Sequence, residues 1–308
     1  MTLRQTTTHL IHRFREAGIR PDPRHGQNFL VDLNLLSLLA ETAQPTPDDV
    51  VLEVGTGTGA LTALLAQSAG SVVTVEIDAA LHQLACESLT DFDNITLLQQ
   101  DVLRNKNQLH TNILQVIRDQ LLNPKYNRLK LVANLPYNIA TPVVANLLAS
   151  DLLPTSMTVT IQKELADRMT AQPGTKDYSA LSIWIQSQCR IELVRVMPPS
   201  CFWPRPKVHS AIIHIETDAK RRARISDRDA FHTFVRAMFF HRRKLLRRVL
   251  LSAYKGQFEK PDVDGILNDL GWNTETRAEQ LPVEKILNLF DTVREKLSLM
   301  GHGESAQT

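Results

Sequence analysis

The feature that most limits what this chain can fold into lies between residues 48 and 134, where four short apolar runs alternate with helical stretches. The runs are "DDVVLEVG" (48–55), "SVVTVEID" (71–78), "NITLLQQD" (94–101) and "RLKLVAN" (128–134). Between them stand "ALTALLAQSA", "AALHQLACESL" and "LHTNILQVIRDQLL". This alternation argues for an α/β fold with a doubly wound parallel sheet. Further strands are expected at 156–161, 191–197 and 207–216. Beyond Thr217 the strand pattern stops. Residues 227–254, 261–270 and 282–298 read as helices, with Pro282 suited to a helix start. A domain boundary is therefore expected near 217. It separates a sheet domain (1–217, with a basic N-terminal extension over 1–25) from a helical C-terminal domain (218–308).

Several classes are set aside by composition. No apolar run approaches the ~18–20 residues of a membrane span, and the N-terminus has no apolar signal-peptide core. Its Arg and Thr content leaves a transit peptide open, though a basic amphipathic first helix is the plainer reading. Cys86, Cys189 and Cys201 are odd in number and widely spaced, forming neither a disulfide framework nor a zinc pattern, so no metal is expected. A reducing cytoplasm fits. The formal net charge of +2 hides an uneven distribution. Residues 1–30 carry +3, residues 220–255 carry +10, and the remainder carries −11. A basic block that dense on a near-neutral chain calls for a polyanion partner.

The first strand runs into "LEVGTGTGALT", with Gly55, Gly57 and Gly59 spaced GxGxG and Glu53 two residues ahead. Glycines there permit positive φ and close approach of a ligand, at the strand end where open α/β sheets bind them. A dinucleotide loop would place its third glycine at position 60, which is Ala60. The spacing, with its preceding acid, resembles that of S-adenosylmethionine-dependent methyltransferases. The second strand ends in Glu76, 21 residues after Gly55, where an acid reaches ribose hydroxyls. The third ends in Asp101, placed to accept from the cofactor's adenine amine.

The fourth strand ends in "NLPY". Pro136 fixes its own φ and holds Leu135 extended, so the Asn134 side-chain oxygen and the Leu135 carbonyl can face one planar –NH2 group. An exocyclic adenine amine is a poor nucleophile, because its lone pair is delocalised into the ring. Accepting its hydrogens draws the nitrogen toward tetrahedral geometry and disperses the charge that develops as it attacks. Tyr137 offers a stacking face, worth ~1–3 kcal/mol per base.

"NLPY" is similar to the [ND]-P-P-Y motif of amino methyltransferases, and this form resembles the family of small-subunit (16S) ribosomal RNA adenine N6,N6-dimethyltransferases. Other segments agree: "GQNFL" (26–30), "EVGTGTGALT", "VEID", "DVL", "QKELADRMTAQPGTKDYSALSI" (162–183), "CFWPRPKVHSAI" (201–212), "FFHRRKLLRRVL" (239–250) and "RAEQLPVEKILNL" (277–289). The resemblance covers nearly all of the chain from about residue 20. It implies a Rossmann-like S-adenosylmethionine-dependent methyltransferase sheet with a small all-α C-terminal domain. It also implies S-adenosyl-L-methionine held by Asn28, Leu30, Gly55, Glu76, Asp101 and Asn134. The target adenine would be held by Asn134, Leu135, Pro136 and Tyr137, with Phe202 stacking from the other side. The implied substrate is a pair of adjacent adenines near the 3′ end of small-subunit rRNA, in an assembling small subunit. Arg24 and His25 replace the usual lysines ahead of "GQNFL". His209 stands where an Asp is usual and is given no role. The interval 104–127 is longer than the family norm.

"HRRKLLRRVL" (241–250) carries Arg242, Arg243, Lys244, Arg247 and Arg248 within three helical turns and reads as one basic face for phosphates. Three rival readings remain open. One is the large-subunit adenine methyltransferase of macrolide resistance. Another is a mitochondrial relative that doubles as a transcription factor. The third is a non-catalytic RNA-binding assembly factor on the same fold. A monomer is expected.

Overall fold

The computed structural model describes residues 7–22 and 26–303, so Arg24 and His25 lie outside the described residues. Strands β1 (Asp49–Val54), β2 (Ser71–Glu76), β3 (Ile95–Gln99), β4 (Arg128–Asn134), β5 (Ser156–Gln162), β6 (Cys189–Met197) and β7 (Ser210–Thr217) form one sheet, in the order β3-β2-β1-β4-β5-β7-β6. β1, β2, β3, β4 and β5 pair parallel with their neighbours, and β7 runs antiparallel to β5. β1 and β2 are buried along their whole length, as strands covered on both faces must be. From β1 the chain winds outward through β2 and β3, then returns to β4 on the other side. β1 and β4 therefore flank a switch point, and the loops after them border the crevice where such sheets bind ligands.

Helices α1 (Thr7–Glu16), α2 (Leu33–Ala43), α3 (Ala60–Ala66), α4 (Ala79–Ser88), α5 (Thr111–Leu121), α6 (Ala140–Ala149) and α7 (Lys163–Thr170) precede or connect these strands. α1 lays Leu10 and Phe14 on Leu81 and Leu84 of α4. Asp32 and Asp78 cap α2 and α4 by accepting the first free N–H groups of each helix. The long interval 104–127 is ordered: a hairpin pairs Leu103–Asn105 with Gln108–Leu109, and α5 buries Ile113 and Ile117. At the start of β1, Asp49 is buried but meets Arg128 at 2.8 Å and Lys130 at 3.1 Å, both on β4. Burial pushes its carboxyl up. The Thr46 N–H and Lys130 outweigh that and hold it below the usual range.

The chain divides into two compact units, and their boundaries differ from the expected cut at 217. The sheet unit comprises the described residues up to 166 together with 190–217. The second unit takes residues 167–189 as well as the described residues from 218 on. It holds α8 (Ala180–Gln186), α9 (Ala219–Ala223), α10 (Arg228–Phe240), α11 (Leu246–Ala253), α12 (Lys260–Asp269) and α13 (Val283–Gly303). Within it the buried Tyr178 donates its hydroxyl to the Leu281 carbonyl at 2.8 Å, and its ring meets Phe239 edge-on. Trp184 packs beside Phe231 and His232. Residues 167–189 bury their aromatics among these helices, which is why they belong there. No helix among the described residues is long and apolar enough to cross a membrane.

Candidate active site

The crevice is a cavity of about 200 Å³, well beyond the ~10–15 Å³ a single water needs. Its walls come from the loops after β1, β2, β3 and β4 and from the segment 26–30. Gly55 has φ +84°, and a Cβ there would lie 3.4 Å from the Pro136 ring. Gly57 has φ +57°, and a Cβ there would lie 3.2 Å from Phe29. Both positions thus need glycine for conformation as well as for space.

Glu76 anchors the loop. Its carboxylate accepts from Gly57 N at 2.8 Å with one oxygen and from Asp78 N at 3.0 Å with the other. Burial raises its pKa, while those N–H groups pull the other way. A carboxylate has about four acceptor sites, so acceptor capacity is left for a ligand's hydroxyls. Glu53 lies below the loop. Thr62 and Thr74 each donate to one of its oxygens at 2.6 Å, and Thr74 lies 2.6 Å from the Thr56 hydroxyl. Burial pushes the Glu53 carboxyl up to about 8. Sequence reasoning noted Glu53 but missed its threonines. The signal was there in Thr74, the one polar residue inside the run Val72–Val75.

Asp101 also lines the cavity, and one of its oxygens accepts from Leu103 N at 2.8 Å. Beside it the buried Gln100 Nε2 has no hydrogen-bond partner among the described residues, an unused donor on a lining residue. Asn134 donates its side-chain amide to the Asn28 carbonyl at 2.9 Å, which settles which end of the amide is engaged. Its oxygen therefore remains an acceptor. Leu135 is buried and donates its N–H to the Thr160 carbonyl at 3.2 Å. Asn28 closes on itself through Gly26 O, and Leu30 is buried beneath. Tyr137 does not line the cavity. Its hydroxyl lies 2.5 Å from that of the buried Ser210, and burial raises its pKa. Ser210 was not singled out in the sequence, although it sits in "KVHSAI" one residue past His209.

Among the described residues, Glu53, Glu76 and Asp101 line this cavity and no Lys, Arg or His does. A dinucleotide would bring its diphosphate against the Glu76 and Asp101 carboxylates, with no cation among the described lining residues to meet it. S-adenosylmethionine carries a sulfonium and an ammonium against one carboxylate, and a ribose and an adenine besides, so the donor set fits it. Residues 20–295 match the profile of one protein family, described as ribosomal RNA adenine dimethylase. The chain belongs to that family.

Among its relatives, a ribosomal RNA small subunit methyltransferase A of Lactiplantibacillus plantarum is 39% identical over 90% of this chain and 92% of its own. The Listeria innocua protein of that name is 36% identical over 89% and 90%. The crystal structure of a 23S rRNA methyltransferase, ErmE, is 26% identical, with a TM-score of 0.61 over 86% of this chain and 99% of its own. A dimethyladenosine transferase from Plasmodium falciparum superposes with a TM-score of 0.72 over 86% and 97% at 24% identity, and shares the fold.

Two expectations change in this dimethylase: the role carried to Phe202 from the family's motifs, and the single basic helix read from the charge run. Phe202 is 2% exposed. Its backbone pairs with Leu30 through the short strands Phe29–Leu30 and Phe202–Trp203, and its side chain is buried in the apolar cluster that also holds Leu30, Leu36 and Ile212. It has no free face for a base and does not line the cavity, so it supports the Leu30 segment from behind. The basic run is not one helix. α10 ends at Phe240 and α11 begins at Leu246, because Leu246 N bonds to the Thr276 carbonyl and Leu245 bridges to Arg277. Arg242 is spent on the Tyr178 and Lys176 carbonyls and on Glu279. Arg247 forms a two-pronged pair with Asp264 at 2.5 and 2.6 Å. Arg243, Lys244 and Arg248 are exposed and have no ion pair with a described residue.

Proposed function

We infer that this chain is an S-adenosylmethionine-dependent dimethyltransferase acting on the N6 amine of two adjacent adenines near the 3′ end of small-subunit rRNA. The observation that carries the reading is Asn134. Its amide nitrogen is committed to Asn28, so its oxygen is the end left for substrate, beside a carboxylate-lined cavity suited to a cationic cofactor. S-adenosylmethionine supplies an electrophilic methyl group when bound. Glu76 takes the ribose hydroxyls, Asp101 the adenine amine of the cofactor, and Asn28, Leu30 and Gly55 frame the remainder. Asn134 and the Leu135 carbonyl accept the two hydrogens of the target amine and stabilise the charge that grows on its nitrogen. Pro136 keeps the two acceptors in step. Tyr137, fixed through Ser210, stacks on the base. No strong base is required, because the proton leaves once the nitrogen has become cationic.

The partner in this reading is rRNA within an assembling small subunit, reached in the cytoplasm by a monomer. Arg243, Lys244 and Arg248 meet its phosphates. The test is transfer of labelled methyl groups to immature small subunits. Asn134→Ala should lower the rate ~10²–10³-fold, as loss of one preorganised hydrogen-bonding group does elsewhere, with RNA binding intact. Turnover near that of the unaltered protein would overturn the assignment.

A further inference from the structure

α10 is amphipathic, and its inner face buries Phe231, Phe234, Val235, Met238 and Phe239. Its last residue departs from that pattern. Phe240 is 81% exposed, more than any other large apolar side chain among the described residues. Among the described residues its one ring contact is with the neighbouring His241, at 4.7 Å between centroids. The backbone turns there, and the turn and the start of α11 present Arg243, Lys244 and Arg248 to solvent. A bare aromatic face is thus set within eight residues of three uncommitted cations. An apolar protein partner would have to desolvate those cations without pairing them. A lipid surface would gain one inserted ring, since the rest of the apolar face of α10 is turned inward. A single-stranded polyanion with planar bases satisfies both features.

We propose that Phe240 is a stacking platform for one unpaired nucleobase of the RNA, with Arg243, Lys244 and Arg248 holding the flanking phosphates. This rests on the reading that the basic turn faces rRNA. It adds a contact that is apolar, and so independent of salt, to one that is electrostatic.

The test uses the full chain and two labelled RNAs, a single-stranded oligonucleotide and a fully paired hairpin with a minimal loop, followed by anisotropy across a salt series. Phe240→Ala should weaken the single strand about 5- to 150-fold, the range for one lost base stack. Its salt slope and melting temperature should not change, and the paired hairpin should be nearly unaffected. Phe240→Trp should keep the affinity, and its added emission should be quenched by the single strand. Arg243→Gln with Lys244→Gln should flatten the slope on both RNAs. An unchanged slope in that pair overturns the basic-turn reading. A flattened slope together with a neutral Phe240→Ala overturns the stacking inference alone. Equal losses on both RNAs would make the ring a prop for the turn. Binding to phosphatidylserine vesicles that Phe240→Ala abolishes, with RNA unaffected, would transfer the site to a membrane surface.

Discussion

The cavity at the end of β1 and the turn after α10 are both charged, and they hold their charges in opposite ways. Glu76 is tied by two backbone N–H groups and Asp101 by one, while Glu53, held by two threonine hydroxyls, is kept protonated by burial and adds no charge. In the turn, Arg242 and Arg247 are committed to the fold, while Arg243, Lys244 and Arg248 reach into solvent. Charge in the cavity is positioned, and charge in the turn is merely concentrated. A bound cofactor needs the first, because its atoms must stop within a few tenths of an ångström. A phosphate backbone is satisfied by the second. Buried groups are screened little by salt, whereas exposed ones are screened within a Debye length of ~8 Å under physiological conditions.

Substitutions at five positions break or sharpen this contrast. Glu76→Ala has the largest expected effect. S-adenosylmethionine should bind more weakly by ~1.5–3 kcal/mol, the scale of hydrogen bonds to a charged group. Calorimetry at low and high salt should give the same loss, and a loss that fades with salt would erase the distinction. Ser210→Ala comes next. Releasing the Tyr137 hydroxyl removes a bond worth ~0.5–1.5 kcal/mol, so kcat should fall by up to about tenfold with cofactor affinity unchanged. Ser210→Thr should restore the rate, and failure to do so would reduce Ser210 to a packing residue.

The turn is tested by comparing two arginines. Arg243→Gln should flatten the dependence of log affinity on log salt by ~0.7–0.9, one neutralised phosphate. Arg247→Gln should leave that slope alone and lower the melting temperature slightly, since its partner is Asp264. Equal slopes in both variants would mean that the internal pair opens on RNA. Glu53→Gln is read through the pH dependence of stability, not through binding. With its carboxyl raised from 4.5 to about 8, the folded protein keeps a proton that the unfolded chain has already released within that window. Stability therefore falls as pH rises from about 4.5 to 8 and levels off above. Denaturant melts of Glu53→Gln should show a flatter profile, and superimposable profiles would mean that Glu53 ionises normally in the fold.

The cavity was legible in the sequence because a parallel sheet places its site at successive strand ends. Gly55, Glu76, Asp101 and Asn134 could be read off at or near the ends of four apolar runs. The threonines under Glu53 were harder, since a hydroxyl in a strand has no address until the strands are stacked. Phe202 matched its motif but not the expected exposure, because it is buried in a cluster that includes Leu30, Leu36 and Leu39, more than 160 residues away in the chain. The break at 241–245 left no local mark. Neither Pro nor Gly occurs there, and the helix ends only because Leu245 and Leu246 pair with residues 276 and 277. The membership of residues 167–189 was hidden for the same reason.

That last feature bears on how the protein is born. Synthesis delivers the excursion 167–189 long before the helices that shelter it. At ~5–20 residues per second, several seconds separate the emergence of Tyr178 and Trp184 from that of Leu281 and Phe290. The sheet can close on itself as soon as Thr217 has left the ribosome, yet two large aromatics must wait in the open beside it. A chain stopped at 217 would therefore be a nascent intermediate, with a sticky loop that a chaperone or protease would find first.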